Sequence, residues 1–187
     1  MSVRKTAGSV LTGDTLLFAF YLFMLLCGFV AGTMIWSKLD IPFAPLEMLP
    51  ESASFAQMFL CIAIPAAGSF AVFLVLALFA GGWMIFPAVV YILGTAFGCF
   101  CCVLFSEQTG EKSVVFRITL SAAYLCCAAV LMYFCVFTHQ LSRELSGGGT
   151  GCFPAYRRCL CGAAFSAALI AAISGIFSGV ISAFSLL

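Results

Sequence analysis

Long apolar runs without charge, separated by short polar segments, are the main pattern along this chain. Residues 15–37 contain no charged side chain and match one helix of about 20 residues across a hydrocarbon core about 30 Å thick. Residues 52–106 also contain no charge, and as one helix they extend about 80 Å, so this run must fold back on itself. The natural break is Gly81-Gly82-Trp83, because glycine weakens a helix and tryptophan favours a membrane interface.

The polar segments set the ends of the predicted helices. Residues 38–51 combine charges with prolines, residues 106–113 form a short polar turn, and residues 139–158 form a polar loop with a flexible triple glycine. The pattern predicts an all-α fold, a polytopic transmembrane helical bundle of about five spans in a single domain over residues 1–187. The predicted spans are 15–37, 57–80, 85–105, 114–138 and 159–186.

The composition fits this architecture. Hydrophobic residues make up 64% of the chain and charged residues only 8%, whereas a soluble domain carries about 25% charged residues. So few charges do not cover the surface of a soluble domain, and membrane lipids are the expected surroundings. The net charge of +1, without a basic patch or a nucleic-acid-binding motif, excludes nucleic acid as a partner.

The distribution of lysine and arginine predicts the orientation. With five spans, the amino terminus, the turn at 81–84 and the loop at 139–158 share one side. That side carries more basic residues (Arg4, Lys5, Arg143, Arg157 and Arg158) than the other (Lys38, Lys112 and Arg117). Because basic residues favour the cytoplasmic side, the amino terminus is expected in the cytoplasm and the carboxy terminus outside.

Pairs of glycines four residues apart recur in three of the predicted spans. Each pair forms a shallow groove on one helix face, where a neighbouring backbone can approach closely. Two interpretations stay open: packing within the bundle, or docking of a partner's helix. The pairs are Gly28 and Gly32, Gly94 and Gly98, and Gly175 and Gly179.

Ionisable residues lie only at the edges of the predicted spans. Asp14, Arg117 and His139 all have such positions, which disfavours ion- or proton-coupled transport. The lone His139 is interpreted as interfacial rather than as a ligand. Pro65 lies inside the second span and is expected to kink it or to mark an interfacial entrance.

The eleven cysteines lie mostly inside apolar runs, where cysteine is a small hydrophobic residue. One alternative is a thiolate metal site between residues 99–102 and 126–127, although Cys99 and Cys101 point apart on a helix. Another is reversible acylation of Cys159 and Cys161 beside two arginines. Since no catalytic or phosphate-binding motif is present, the expectation is a protein without catalytic residues, cofactor or metal.

The layout and several local patterns resemble the stage II sporulation protein M family, whose members have five spans and about this length. The segment LFMLLCGFVAGTMI is similar to the family's glycine-spaced opening helix. Residues 76–105 carry the family's order of features, namely glycine, a proline that opens a helix, and the pair Gly94 and Gly98 among aromatics. The resemblance covers residues 15–140 in outline, and the fourth span lacks the proline that relatives often have.

The resemblance implies a non-enzymatic integral membrane scaffold of the bacterial cytoplasmic membrane, which recruits cell-wall-remodelling partners as in sporulation engulfment. The implied partners are membrane-anchored proteins, among them cell-wall hydrolases such as stage II sporulation proteins D and P. The alternative is a small transporter or the membrane subunit of a transport complex, in which Pro65, Gly68 and the Gly81-Gly82 break interrupt helices around a midplane site. A membrane-embedded thiol or metal enzyme is the third hypothesis.

Overall fold

Five long helices make up the described part of the chain. The structure is a computed structural model that describes residues 3–38, 54–79, 81–105, 114–146 and 152–184. No strand occurs within these ranges, and each of the five helices is long and apolar enough to cross a membrane. The predicted all-α bundle of five spans is therefore confirmed. In chain order the helices are α1 (Val3–Lys38), α2 (Phe55–Leu78), α3 (Phe86–Phe105), α4 (Val114–Ser146) and α5 (Cys152–Phe184).

The polar loop predicted over residues 139–158 is wrong for most of its length. Helix α4 continues past Thr138 to Ser146, and α5 already begins at Cys152 rather than at residue 159. Helix α1 begins at Val3, but its apolar span starts at Thr15, as predicted. Hydropathy marks where a chain leaves the hydrocarbon, but backbone hydrogen bonding continues beyond that edge. The triple glycine at 147–149, the turn at 106–113 and nearly all of the segment at 38–51 lie outside the described residues.

The reversal between α2 and α3 depends on two glycines. Helix α2 ends at Leu78, and Gly81 has a φ of 89°, a left-handed conformation that favours glycine. A 3₁₀ turn over Gly82–Met84 then leads into α3. A side chain at Gly82 has no room, because its Cβ would meet the carbonyl oxygen of Leu76. The predicted break at Gly81-Gly82 is confirmed.

Helix α4 lies at the centre of the bundle and contacts each of the other four helices. On one side of it α1 and α3 form a tightly packed pair, and on the other side α2 and α5 pack against each other. The pairs Cys61–Tyr124 and Phe70–Phe134 show that α2 and α4 run in the same direction. The largest fully buried side chains include Tyr21, Phe73, Phe86, Leu120 and Phe134. In contrast, α2 and α3 barely touch, although they follow each other in the chain.

Candidate functional site

The first two glycine pairs meet each other across the interface between α1 and α3. A Cβ on Gly28 would meet the carbonyl oxygen of Tyr91, and one on Gly94 would meet the carbonyl oxygen of Leu25. One turn further along both helices, Gly32 faces the backbone of Thr95 in the same way. Residue numbers rise together on both sides, so the two helices run parallel with their backbones in direct contact.

Gly98 completes this interface by facing the backbone of Phe29. The four glycines Gly28, Gly32, Gly94 and Gly98 are all buried, and each is covered by the partner helix of the same chain. Internal packing therefore describes these four. A partner's helix has no access to them, so the interpretation of these two pairs as docking grooves is wrong.

The third glycine pair lies on an open face of α5. A Cβ built on Gly175 or Gly179 meets no atom within 4 Å among the described residues. Ala171, one turn before Gly175, is also small and exposed on this side of the helix. We call this the small-residue face of α5; it consists of Ala171, Gly175 and Gly179. Another helix backbone can approach it closely from outside the bundle.

A cavity of about 610 Å³, here called the lateral groove, lies between α2 on one side and α1 and α3 on the other, with α4 as its floor. Two α2 residues in its lining, Leu60 and Ile64, are 51% and 64% exposed. The groove therefore opens sideways, toward the lipid of a surrounding bilayer. Residues that line it include Leu60, Ile64, Ala96, Tyr124, Ala128 and Leu131.

Pro65 explains a hydrogen bond in the wall of the lateral groove. Proline has no backbone N–H, so the carbonyl of Cys61, four residues earlier, has no helical donor. The hydroxyl of Tyr124 on α4 donates to that carbonyl oxygen at 2.8 Å. The Tyr124 ring also contacts Phe100 of α3, with centroids 4.5 Å apart. Tyr124 thus connects α4 to both walls of the groove.

Gln57 lies at one end of the lateral groove, in the first turn of α2. Its side-chain oxygen accepts a hydrogen bond of 2.9 Å from the backbone N–H of Ser54, and the Ser54 hydroxyl caps the helix in return. This capping box uses the Gln57 oxygen. Among the described residues no acceptor is assigned to its amide NH₂ group, so this end of the groove carries hydrogen-bond donors.

His139 lies in a buried polar and aromatic cluster. It is 7% exposed, and its Nδ1 lies 2.6 Å from the hydroxyl oxygen of the fully buried Tyr21 of α1. The rings of Trp83 and Phe86 lie within about 6 Å of the imidazole. The prediction that His139 belongs to a loop is therefore wrong, because the residue is helical and buried. The residue instead joins α1, α4 and the start of α3.

Ser142, one turn after His139, fastens α4 to the reversal between α2 and α3. Its hydroxyl donates to the carbonyl oxygen of Phe79 at 3.0 Å and accepts from the backbone N–H of Trp83 at 3.3 Å. The Phe79 carbonyl also accepts from the backbone N–H of Gly82 at 3.0 Å, whereas the Ser142 hydroxyl gives the Trp83 N–H an acceptor at the helix break. The two Ser142 bonds place the end of α4 and the α2–α3 reversal at the same end of the bundle.

The thiol groups do not gather into a ligand set. Within the described ranges no three His, Cys, Asp or Glu side chains lie close enough together to hold a metal ion. The Cys99 thiol instead donates to the carbonyl oxygen of Gly32 at 3.3 Å, across the α1–α3 interface. Cys161 is an exposed free thiol near the exposed Arg157 and Arg158, and the side chain of Cys159 lies outside the described residues.

Two of these features carried a signal in the sequence that pattern analysis did not use. A proline inside a span requires a donor for the freed carbonyl, and Tyr124 is one of five hydroxyl side chains in the predicted fourth span. A histidine in an apolar environment likewise requires a polar partner.

Comparison of the chain with protein-family models, with curated proteins and with solved structures gives no match.

Proposed function

We propose that this chain is a non-enzymatic membrane scaffold, which holds a partner protein against the small-residue face of α5. The observation that carries the proposal is the contrast between the three glycine pairs. Two pairs are used inside the bundle, whereas Gly175 and Gly179 stay open on a helix of 33 residues. Glycine exposed on a membrane helix contributes nothing to a core, but it lets a second helix approach closely.

The class of partner comes from the resemblance to the stage II sporulation protein M family. Members of that family recruit cell-wall-degrading proteins, such as stage II sporulation proteins D and P. The proposed partner is accordingly a membrane-anchored cell-wall hydrolase, and the proposed location is the bacterial cytoplasmic membrane. The parallel α1–α3 pair through residues 28–32 and 94–98 lies on the other side of α4 and is not part of the proposed docking surface.

The basic residues support an amino terminus in the cytoplasm and a carboxy terminus outside. The Ser142 contacts bring the α4 end and the α2–α3 reversal to one end of the bundle, as either orientation of five alternating spans requires, so the proposed orientation depends on the basic residues alone. Alkaline phosphatase fused after Leu187 tests the orientation. Activity in intact cells is expected, and an inactive fusion whose β-galactosidase counterpart is active overturns it.

Co-purification from native membranes tests the scaffold. We expect cell-wall hydrolases to co-purify with the tagged full chain after mild detergent extraction. The double variant Gly175→Leu, Gly179→Leu should reduce their yield by roughly tenfold, since bulky groups prevent close approach of helix backbones. The protein itself should remain folded, because both positions point away from the bundle.

Gly68→Leu is the matched control, because a Cβ added to Gly68 of α2 also meets no atom within 4 Å on the described part of the chain. The hydrolases should co-purify with this variant in the same yield as with the unchanged protein. Equal loss in both variants, or no loss in either, excludes the α5 face as the docking site. Co-purifying nucleotide-binding subunits in place of hydrolases would overturn the scaffold in favour of the membrane subunit of a transport complex.

A further inference from the structure

The lateral groove is lined mostly by hydrocarbon groups. Its lining contains two hydroxyl groups, and both are already hydrogen-bonded: Tyr124 to the carbonyl of Cys61, and Ser69 to the carbonyl of Pro65 at 2.9 Å. A polar molecule entering the groove therefore loses its water without gaining strong partners there, which is unfavourable. The interior selects an apolar occupant.

The shape of the groove restricts the occupant further. Its lining runs along α2 from Gln57 to Phe73, a distance of about 24 Å at the helical rise of 1.5 Å per residue. The groove is therefore elongated, with a volume of about 610 Å³. A single extended hydrocarbon chain fits.

The two ends of the groove differ in polarity. Phe73 at the inner end is almost fully buried, whereas Gln57 at the outer end is exposed at the membrane-edge end of α2. The amide NH₂ group of Gln57 is a donor suited to the oxygens of an ester or a phosphate. An occupant that is apolar along its length and rich in oxygen at one end matches both features.

We propose that the lateral groove binds one acyl chain of a membrane phospholipid, with the lipid's ester and headgroup oxygens at Gln57. The exposed Leu60 and Ile64 flank the opening through which the chain enters from the bilayer. This site is separate from the small-residue face of α5 and does not depend on the scaffold function. It gives the protein a fixed lipid between α2 and α3, which have little direct contact.

Photo-crosslinking tests the site. The full chain is reconstituted into vesicles of phosphatidylethanolamine and phosphatidylglycerol that contain a phospholipid with a diazirine on one acyl chain. After illumination, the modified residues are identified by peptide mass spectrometry. We expect adducts at Leu93, Ala128 and Leu131 in the groove to exceed those at the lipid-exposed Ile92 and Leu125 by roughly tenfold, as for a retained ligand.

Two pairs of variants isolate the groove from the general lipid surface. Ala128→Trp fills the floor of the groove, whereas Ala129→Trp places the same ring on the exposed face of α4. If Ala128→Trp lowers the melting temperature of the protein, a second pair on α3 replaces the first. In that pair, Ala96→Phe fills the groove and Ala88→Phe places the same ring on an exposed position. The first member of each pair should abolish the groove adducts, and the second should leave them unchanged.

Gln57→Glu tests the polar end, because glutamate keeps the capping box with Ser54 but has no N–H to donate. It should reduce retention of phospholipid through detergent washing by roughly tenfold, as measured by native mass spectrometry, at an unchanged melting temperature. Adducts spread evenly over groove and exposed residues, or groove adducts that persist in both Ala128→Trp and Ala96→Phe, overturn the proposal. Crosslinks from the groove to a co-purified protein would overturn it as well.

Discussion

The hydroxyl of Tyr124 on α4 donates a hydrogen bond to the carbonyl oxygen of Cys61 on α2, at 2.8 Å. That carbonyl lies four residues before Pro65, the one proline inside α2. Because proline has no backbone N–H, the carbonyl receives no hydrogen bond from that position of the helix. A defect in one helix is thus repaired by a side chain of another. The repair fixes the position of α2 relative to α4 and forms the wall of the lateral groove.

Tyr124→Phe removes this hydrogen bond to the Cys61 carbonyl. We expect a loss of about 1 kcal/mol in the free energy of unfolding, measured in mixed micelles of mild detergent and dodecyl sulfate. In a Pro65→Ala background the helix supplies its own N–H, so Tyr124→Phe should cost less there. Equal costs in both backgrounds would contradict the repair. Tyr133→Phe is the control, because Tyr133 is 63% exposed on the same helix.

Glycine-to-alanine substitutions should separate the internal glycines from the open ones. Gly94→Ala puts a methyl group against the Leu25 carbonyl, and we expect destabilisation of about 1–3 kcal/mol in the same unfolding assay. Gly175→Ala meets no atom within 4 Å and should be neutral or stabilising by up to about 1 kcal/mol, since alanine favours helix. Equal free energies of unfolding for the two variants would contradict close backbone packing at the α1–α3 interface.

The contact between Tyr21 and His139 should couple α1 to α4. Each of the changes Tyr21→Phe and His139→Leu removes one side of this contact, and the double variant removes both groups. A double-mutant cycle should give a favourable coupling of about 0.5–1.5 kcal/mol. The pair Tyr133→Phe and His139→Leu serves as a reference cycle, in which the expected coupling is zero. A coupling of zero in the Tyr21 cycle would show that the hydrogen bond contributes no net stability.

Ser142→Ala should loosen the reversal between α2 and α3. Without the Ser142 hydroxyl, the backbone N–H of Trp83 loses its acceptor. Hydrogen exchange at Trp83 should then accelerate by roughly fivefold to tenfold, as expected for a bond worth about 1 kcal/mol. Ser37→Ala, which removes a hydroxyl bonded to Met34 of its own helix, should leave exchange at Trp83 unchanged. If hydrogen exchange at Trp83 is also unchanged in Ser142→Ala, the conclusion that Ser142 holds α4 against the α2–α3 reversal is contradicted.

Local patterns in the sequence were sufficient to predict the helices that cross the membrane and the reversal at Gly81-Gly82. They were insufficient for the helix ends: residues 139–146 are polar and yet continue α4. Hydropathy records only the preference of each side chain for lipid or water. Whether the backbone continues as a helix in water depends on contacts such as those of Ser142, which join residues far apart in the chain.

The candidate site shows the same division. The spacing of glycines at 28 and 32, 94 and 98, and 175 and 179 is visible in the sequence and predicts close helix contacts. The spacing does not show which pairs meet each other and which stay open. In a membrane, apolar helix faces are equally compatible with lipid, so hydrophobicity does not select between an internal and an external contact.

The sequence by itself determined that this is an all-helical chain with five membrane-spanning segments, because the length of each apolar run and the special backbone of glycine are local properties. Only the tertiary structure decided that two glycine pairs close on each other, that α5 keeps an open face, and that Tyr124 donates to the carbonyl four residues before Pro65. These outcomes depend on the shapes of surfaces more than 60 residues apart in the chain, such as Cys61 and Tyr124 at a separation of 63. Complementarity between such surfaces arises only once the helices have packed.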